Sequence, residues 1–341
     1  LQGQAIAGGF LPTLMTRGTK RLNRTQLTDK LAELRASLSG SGDRRSPGEA
    51  VFSIQTTRSN LPAVLELLRQ VLREPVLPEK ELALMKQQAL TGFEQQKSEP
   101  QPLALRKLRR TFRPFPRTDP LYEPTVEEEI AAVRAVTREQ VVALYDEMLN
   151  GVHGELAIVG DFDPKTTTPA LEKLVDGWNS QARYQHVARR GDLPYKPGSS
   201  KVLTPDKANA VYFSGLVFPM KDNHPDFPSL VMANFILGGG SLASRLGDRV
   251  RQKEGLSYGI ISLFSASSVD ERGSLTIGAI SNPTNVPKVE TAIREEVQKL
   301  VAKGVTAAEL AAAQKGYLQS ARVGRTNDGR LAGLLAGSLF A

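Results

Sequence analysis

A chain of 341 residues is long enough for two domains with proper cores, and 40% apolar with 23% charged residues is an ordinary globular balance. The absence of cysteine excludes disulfides, thiolate metal sites and cysteine nucleophiles, and says little about compartment. A net charge of +8 raises the question of a nucleic-acid partner, which depends on where the basic residues gather.

The sequence starts at Leu1 with no basic stretch ahead of an apolar run, so no signal peptide is expected in it. The longest apolar-leaning stretch, Ala5 to Met15, is too short and glycine-broken to span a bilayer. Residues 1–18 read as helical, with Ile6, Phe10, Leu11, Leu14 and Met15 on one face. Thr25 to Leu38 is expected to be an amphipathic helix, capped by Thr25, with Leu27, Leu31 and Leu34 inward. Ala50 to Thr56 alternates as a strand, Phe52 and Ile54 sharing a side. A helix using Val64, Leu65, Leu68 and Leu72 then runs to Pro75, and Glu79 to Gln96 forms a long polar one. Residues 98–125 look loop-like for their prolines. Thr137 opens a helix to Met148, Leu156 to Gly160 reads as a buried strand, and Leu171 to Trp178 as a further helix. From Gln181 to Ser200 the composition shifts to that of an interdomain linker.

Beyond it, Asn209 to Phe218 is expected as a strand, and a helix from Pro228 carries Leu230, Asn234 and Leu237 to Gly238-Gly239-Gly240. Ser241 suits an N-cap for a second helix, whose Leu242, Leu246 and Val250 form one apolar stripe. Gly255 ends that helix, and Leu256 to Phe264 reads as a strand. Arg251 thus falls on the last helical turn and Tyr258 just inside the strand. Gly273 to Ile280 is another strand, Val286 to Val301 a helix, and Thr306 to Val323 an alanine-rich helix before a glycine-rich tail.

The densest basic run extends from Arg106 to Arg117, with Phe112 and Phe115 among its arginines. Such aromatics can stack bases, but a charge run ordinarily marks a solvated face and no nucleic-acid module accompanies this one. An acidic peptide or the acidic face of another protein is the expected partner, and nucleic acid is not. His153, His186 and His224 lie far apart in loop-like surroundings and read as surface histidines. No phosphate loop follows Gly238 to Gly240, and no serine stands in a G-x-S-x-G setting.

The halves repeat. A helix precedes Phe52-Ser53-Ile54-Gln55-Thr56, then come Asn60-Leu61-Pro62, an amphipathic helix, Pro75-Val76, and Glu81-Leu82 opening a long helix. A helix likewise precedes Leu275-Thr276-Ile277-Gly278-Ala279, followed by Asn285-Val286-Pro287, a helix, Gly304-Val305, and Glu309-Leu310 opening a long helix. One unit used twice implies a duplicated α+β domain, each a mainly antiparallel sheet with helices on one face.

This arrangement resembles the pitrilysin/insulinase family of zinc peptidases, over nearly the whole chain. The most specific elements are Leu237-Gly238-Gly239-Gly240, Ser244-Arg245-Leu246 and Arg251-Gln252-Lys253-Glu254-Gly255-Leu256-Ser257-Tyr258-Gly259. They resemble that family's last domain, where an arginine and a tyrosine seven positions apart reach substrate held at the opposite half's zinc. The resemblance implies that Arg251 and Tyr258 bind the peptide backbone. The residue types suit the task, a fork of guanidinium donors and a phenol able to donate to a developing oxyanion. By spacing alone Tyr258 could equally be core and Arg251 a helix-end cation.

The family's catalytic helix carries His-x-x-Glu-His before a Gly-Thr. Ahead of Gly18-Thr19, Gly9, Pro12 and Thr13 stand at those positions, and none ligates zinc or takes a proton at neutral pH. Its third ligand should fall between Gln87 and Gly92, where no carboxylate stands; Glu94 lies nearby without partners. The chain is therefore expected to bind no metal, to be inactive alone, and to have no catalytic residue. It is expected to be the substrate-binding half of a zinc endopeptidase, with zinc in a catalytic partner half, in cis or in trans. Residues 1–190 would form a degenerate peptidase-like domain, 181–200 the linker, and 201–341 the substrate-binding domain. A fragment of a longer, exported bacterial protein is expected, periplasmic or secreted. The alternative is a peptidase-like scaffold without proteolytic role, against which Arg251 and Tyr258 argue.

Overall fold

A computed structural model describes residues 4–43, 48–179, 185–240 and 243–340. Its first part is helical around a single hairpin. Helix α1 (Ala5–Met15) buries Leu11, Leu14 and Met15, and α2 (Arg24–Glu33) follows. The cap of α2 is Asn23, not Thr25: its side chain accepts from the Gln26 N–H while Gln26 reciprocates, a capping box that starts the helix one residue earlier.

Strand β1 (Ser37–Gly42) corrects the expected helix to Leu38. Arg35, at a φ of 46°, turns the chain out of the helix, and Ser37-Leu38-Ser39 pairs antiparallel with β2 (Ala50–Gln55). Helices α3 (Leu61–Arg73) and α4 (Glu79–Gln96) lie where the apolar spacing puts them.

The expected loop at 98–125 holds α5 (Pro100–Phe112) in its first half, because Pro100 and Pro102 occupy the first turn, where a missing N–H costs nothing, and is helix-free from 113 to 125. Helices α6 (Val126–Ala135), capped by Thr125 and unforeseen, α7 (Arg138–Met148), capped by Thr137, and α8 (Pro164–Val175) complete this part. The strand expected at 156–160 is not formed; no strand among the described residues pairs with it, and Leu156 stays exposed. One core collects α1, α3, α4, α6 and α7 around Leu14, Val71, Val133 and Val141. Of the expected linker, residues 185–200 carry no helix or strand, and 181–184 lie outside the described residues.

The second part is a three-stranded antiparallel sheet, order β3-β5-β4, of β3 (Ala210–Phe218), β4 (Ser257–Ala266) and β5 (Gly273–Ser281). Helix α9 (Phe227–Asn234) widens into a π turn at Phe235–Gly239, and a second π-helical turn spans Gly247–Lys253. Ser241 and Leu242 lie outside the described residues. Helices α10 (Val286–Lys303), α11 (Ala307–Gly324) and α12 (Asp328–Phe340) follow, the last replacing the glycine-rich tail. Ile277 and Ala279 on one sheet face meet Leu246, Val250, Val289 and Ile293, so this core lies between the sheet and the helices.

The repeat is structural. Both units run helix, hairpin, 3-10 turn, helix, helix, and in both an asparagine ahead of the first long helix reaches back to a leucine carbonyl before the hairpin. Asn60 Nδ2 donates to Leu34 at 2.9 Å, and Asn285 Nδ2 to Leu256 at 3.3 Å.

Candidate functional site

The turn bearing Arg251 is held from two sides. Leu246 and Val250 are fully buried beneath it, and Gly255, at a φ of 59°, lets the Leu256 N–H return to the Val250 carbonyl at 2.8 Å. Arg249 then meets three carboxylates: Glu254 at 2.8 Å, and Glu295 and Glu296 of α10 at 2.6 and 3.1 Å. Bonding to Glu254, opposed by burial, leads the causes that raise its pKa. Arg245 makes a bidentate pair with Glu309 at the start of α11, at 2.7 and 2.9 Å. Arg251 itself is exposed, with no hydrogen bond or ion pair among the described residues.

The Arg245 guanidinium, first among its causes, lowers the Glu309 pKa from 4.5 to about 2. A depressed folded-state pKa contributes stability present above the unfolded value and lost as pH falls through the folded one. Wild type is therefore expected to lose stability between pH 4.5 and about 2 partly through this pair, and Glu309→Gln to lose less across that window. Urea midpoints at intermediate pH check it; because the pair is partly solvated, the difference should be on the order of 1 kcal/mol.

Tyr258 sits in a β-bulge. Ser257 pairs with Ser281 and Gly259 with Ile280, leaving Tyr258 as the extra residue of β4. The Ser257 hydroxyl, 2.7 Å from the Ile280 carbonyl, fixes the distortion. The bulge breaks the alternation that allowed Tyr258 to be core, and it is 67% exposed. Past the bulge, Ile261 and Leu263 are also exposed, at 47% and 57%, on the face opposite the buried Ser262. The site is thus an exposed arginine and phenol at the mouth of an apolar strand face. β4 forms one edge of its sheet among the described strands.

Gly9, Pro12 and Thr13 lie together on α1, pressed against β1. Pro12 is fully buried, and the Thr13 hydroxyl donates to the Gly40 carbonyl at 2.8 Å. The second unit uses the equivalent helix the same way, Asn234 Nδ2 donating to the Ser262 carbonyl at 3.3 Å. Near Gly9 lies a cavity of about 280 Å³ lined by Phe10, Ala89, Gly92 and Phe93. Glu94 pairs with Lys97 at 2.7 Å. Apolar walls, a buried proline and an engaged threonine offer zinc no set of donors, so these residues do not fit the metal. Among the described residues no three His, Cys, Asp or Glu side chains converge as metal ligands. Of the histidines, His186 is exposed and outside any helix or strand, as expected, and its Nε2 lies 2.7 Å from buried Asp270.

The basic run is largely paired. Arg106 meets Glu129, Arg109 and Arg113 meet Glu123, and Arg117 meets Glu128. Nothing in the sequence marked Arg249, whose partners Glu295 and Glu296 on α10 lie 46 and 47 positions away.

Residues 7–125 match the insulinase family, peptidase M16, and residues 135–317, over half the chain, match the peptidase M16 inactive domain. The chain belongs to the M16 peptidase family. A curated relative, the non-peptidase homolog YmxG of Helicobacter pylori, is 24% identical over 314 residues, 90% of this chain and 68% of its own length. The crystal structure of a peptidase M16 inactive domain from Pseudomonas fluorescens superposes with a TM-score of 0.74 at 19% identity, over 98% of this chain and 78% of that one. The periplasmic protease PqqL of Escherichia coli gives 0.72 at 16% identity, over 98% of this chain but 35% of PqqL. At these identities the likeness shows a shared fold. No described helix of this M16 chain is long and apolar enough to cross a membrane.

Proposed function

We propose that this M16 chain is the non-catalytic, substrate-binding half of a zinc endopeptidase, with zinc and general base in a partner half, either in the same polypeptide or separate. The observation that carries the reading is the pair Arg251 and Tyr258, both exposed, the tyrosine thrust out by a bulge and the arginine on a turn clamped by Arg245 and Arg249. In this role Arg251 grips a peptide carbonyl and the Tyr258 hydroxyl donates to the oxyanion, while Ile261 and Leu263 bound the chamber wall. The division into 1–190, a linker at 181–200 and 201–341, and a periplasmic or secreted site like PqqL's, belong to the same proposal.

Peptidase activity on a quenched peptide tests it, for the chain alone and for the assembly completed with its partner half. Activity is expected only in the assembly, and Arg251→Ala and Tyr258→Phe should each lower kcat/KM about 100-fold, the cost of one lost oxyanion donor. Unchanged turnover in both variants would overturn the substrate role. The YmxG relative's designation as a non-peptidase homolog favours a second reading, a scaffold without proteolytic role. Silence of the completed assembly would select it.

A further inference from the structure

Where the C-terminal end of α1 meets α2 and β1, the chain holds a cation that nothing pairs. Arg17 follows directly on α1, tied there by its N–H to the Leu14 carbonyl at 3.0 Å. Its side chain is partly buried and its Nε wholly so, and the guanidinium makes no hydrogen bond or ion pair among the described residues. A cation at the end of a helix is favoured by the macrodipole, which accounts for the charge. It does not account for a buried Nε–H that neither protein nor water accepts, an arrangement that costs stability.

Arg17 lines a surface cavity of about 270 Å³, separate from the one near Gly9. Three kinds of wall meet in it. Leu27, buried, with Leu31 and Leu38, half-buried, forms an apolar side. Thr13, Thr16 and Thr28 bring hydroxyls whose hydrogens are already spent, on the carbonyls of Gly40 at 2.8 Å, Thr13 at 2.7 Å and Arg24 at 2.9 Å. Each therefore presents lone pairs and can only accept. Arg17 supplies the charge. Arg24, also in the wall, is paired with Glu81 at 2.9 Å, and among the described residues no carboxylate lines the cavity, so the excess is one positive charge.

We propose that this cavity takes the C-terminal residue of a peptide, one with an aliphatic side chain. Such a residue has one carboxylate for the guanidinium, an amide N–H for a threonine oxygen and a branched alkyl group for the leucines. The Nε–Nη edge of arginine takes a carboxylate in two parallel bonds, which gives the orphaned Nε its acceptor. Room limits the occupant: an apolar cavity of roughly 150 Å³ holds benzene, so 270 Å³ suits a single residue and its flanking amide. A free aliphatic acid lacks the N–H and leaves the threonine oxygens unused. Arg251 and Tyr258 play no part in the site, so it stands or falls apart from the peptidase reading.

Calorimetry and thermal unfolding of the whole chain with N-acetyl-leucine test the site, against sodium chloride at equal ionic strength. One molecule bound per chain is expected, with a saturable rise in Tm of about 3 °C at about tenfold excess over Kd. N-acetyl-leucinamide, which lacks the charge, should give no rise, and 4-methylpentanoate, which lacks the N–H, should bind about fivefold more weakly. Arg17→Met should abolish the response while keeping or raising the Tm without ligand, because it removes the orphaned donor. Should that variant fold poorly, Leu31→Glu, checked by circular dichroism, carries the same test by setting a negative charge in the wall. No saturable binding of N-acetyl-leucine, an amide that binds as tightly as the acid, or full binding kept in a folded variant would overturn the site. Equal binding of 4-methylpentanoate would overturn its assignment to a peptide terminus.

Discussion

Glu129→Ala is expected to destabilise the chain by about 3–5 kcal/mol, among the largest single effects in it. Glu129 on α6 accepts from Arg106 Nη2 on α5 at 2.7 Å, with both side chains only about a tenth exposed. Arg106 also donates Nη1 to the Pro124 carbonyl at 2.7 Å, while its Nε is buried without a partner. Truncating Glu129 removes the negative charge but leaves the guanidinium in place, desolvated and lacking its anion. The cost is that of an unpaired buried charge, not the net worth of the pair. The double variant Arg106→Met with Glu129→Leu, which removes both charges and keeps the volume, should therefore recover most of the loss. Urea unfolding of the single and double variants decides it. A single-variant cost under about 1 kcal/mol, or a double variant no better than the single, would show the pair to be solvated and of little consequence.

How the sequence discloses this fold depends on the kind of interaction involved. Elements fixed by their own spacing were legible: α3, α4, α7, β2, β3 and α10 lie where apolar periodicity and caps place them. The losses share a cause, that a long-range partner outweighed a local signal. Strand β1 was hidden because Ser37, Ser39 and Gly40 have no strand-like hydrophobicity and become a strand only by pairing with β2. Helix α5 was read as a loop because its prolines were taken as breakers rather than first-turn residues. Leu156 to Val159 has strand composition but no described neighbour with which to form a ladder. At the candidate site the residues were legible through family resemblance, whereas their exposure was not: only the register slip at Ser257–Gly259 reveals that Tyr258 leaves the core. The ion pairs of Arg245 and Arg249 join residues up to 64 positions apart, beyond any local rule.

Gly40→Ala and Gly92→Ala are expected to shift stability in opposite directions, although each adds one methyl group beside the positions where a zinc peptidase would hold its metal. At Gly40, in the middle of β1, a Cβ would lie 2.1 Å from the Pro12 carbonyl oxygen and 2.7 Å from its carbon. Those are backbone atoms of α1, so no side-chain rotation relieves the overlap. The helix must withdraw, loosening Leu14 and Met15 in the core and the Thr13 bond to the Gly40 carbonyl. A loss of about 3 kcal/mol is expected, the upper part of the range for overpacking. At Gly92, inside α4 and lining the cavity near Gly9, a Cβ would meet nothing within 4 Å. There the gain in helix propensity should stabilise by about 0.5–1 kcal/mol. Thermal unfolding of the two variants separates them, and similar effects from both would mean that α1 is not seated on β1 as described. The contrast also explains why Gly9, Pro12 and Thr13 suit this chain: with the metal ligands absent, the helix face that would have held them lies against a glycine in the strand below.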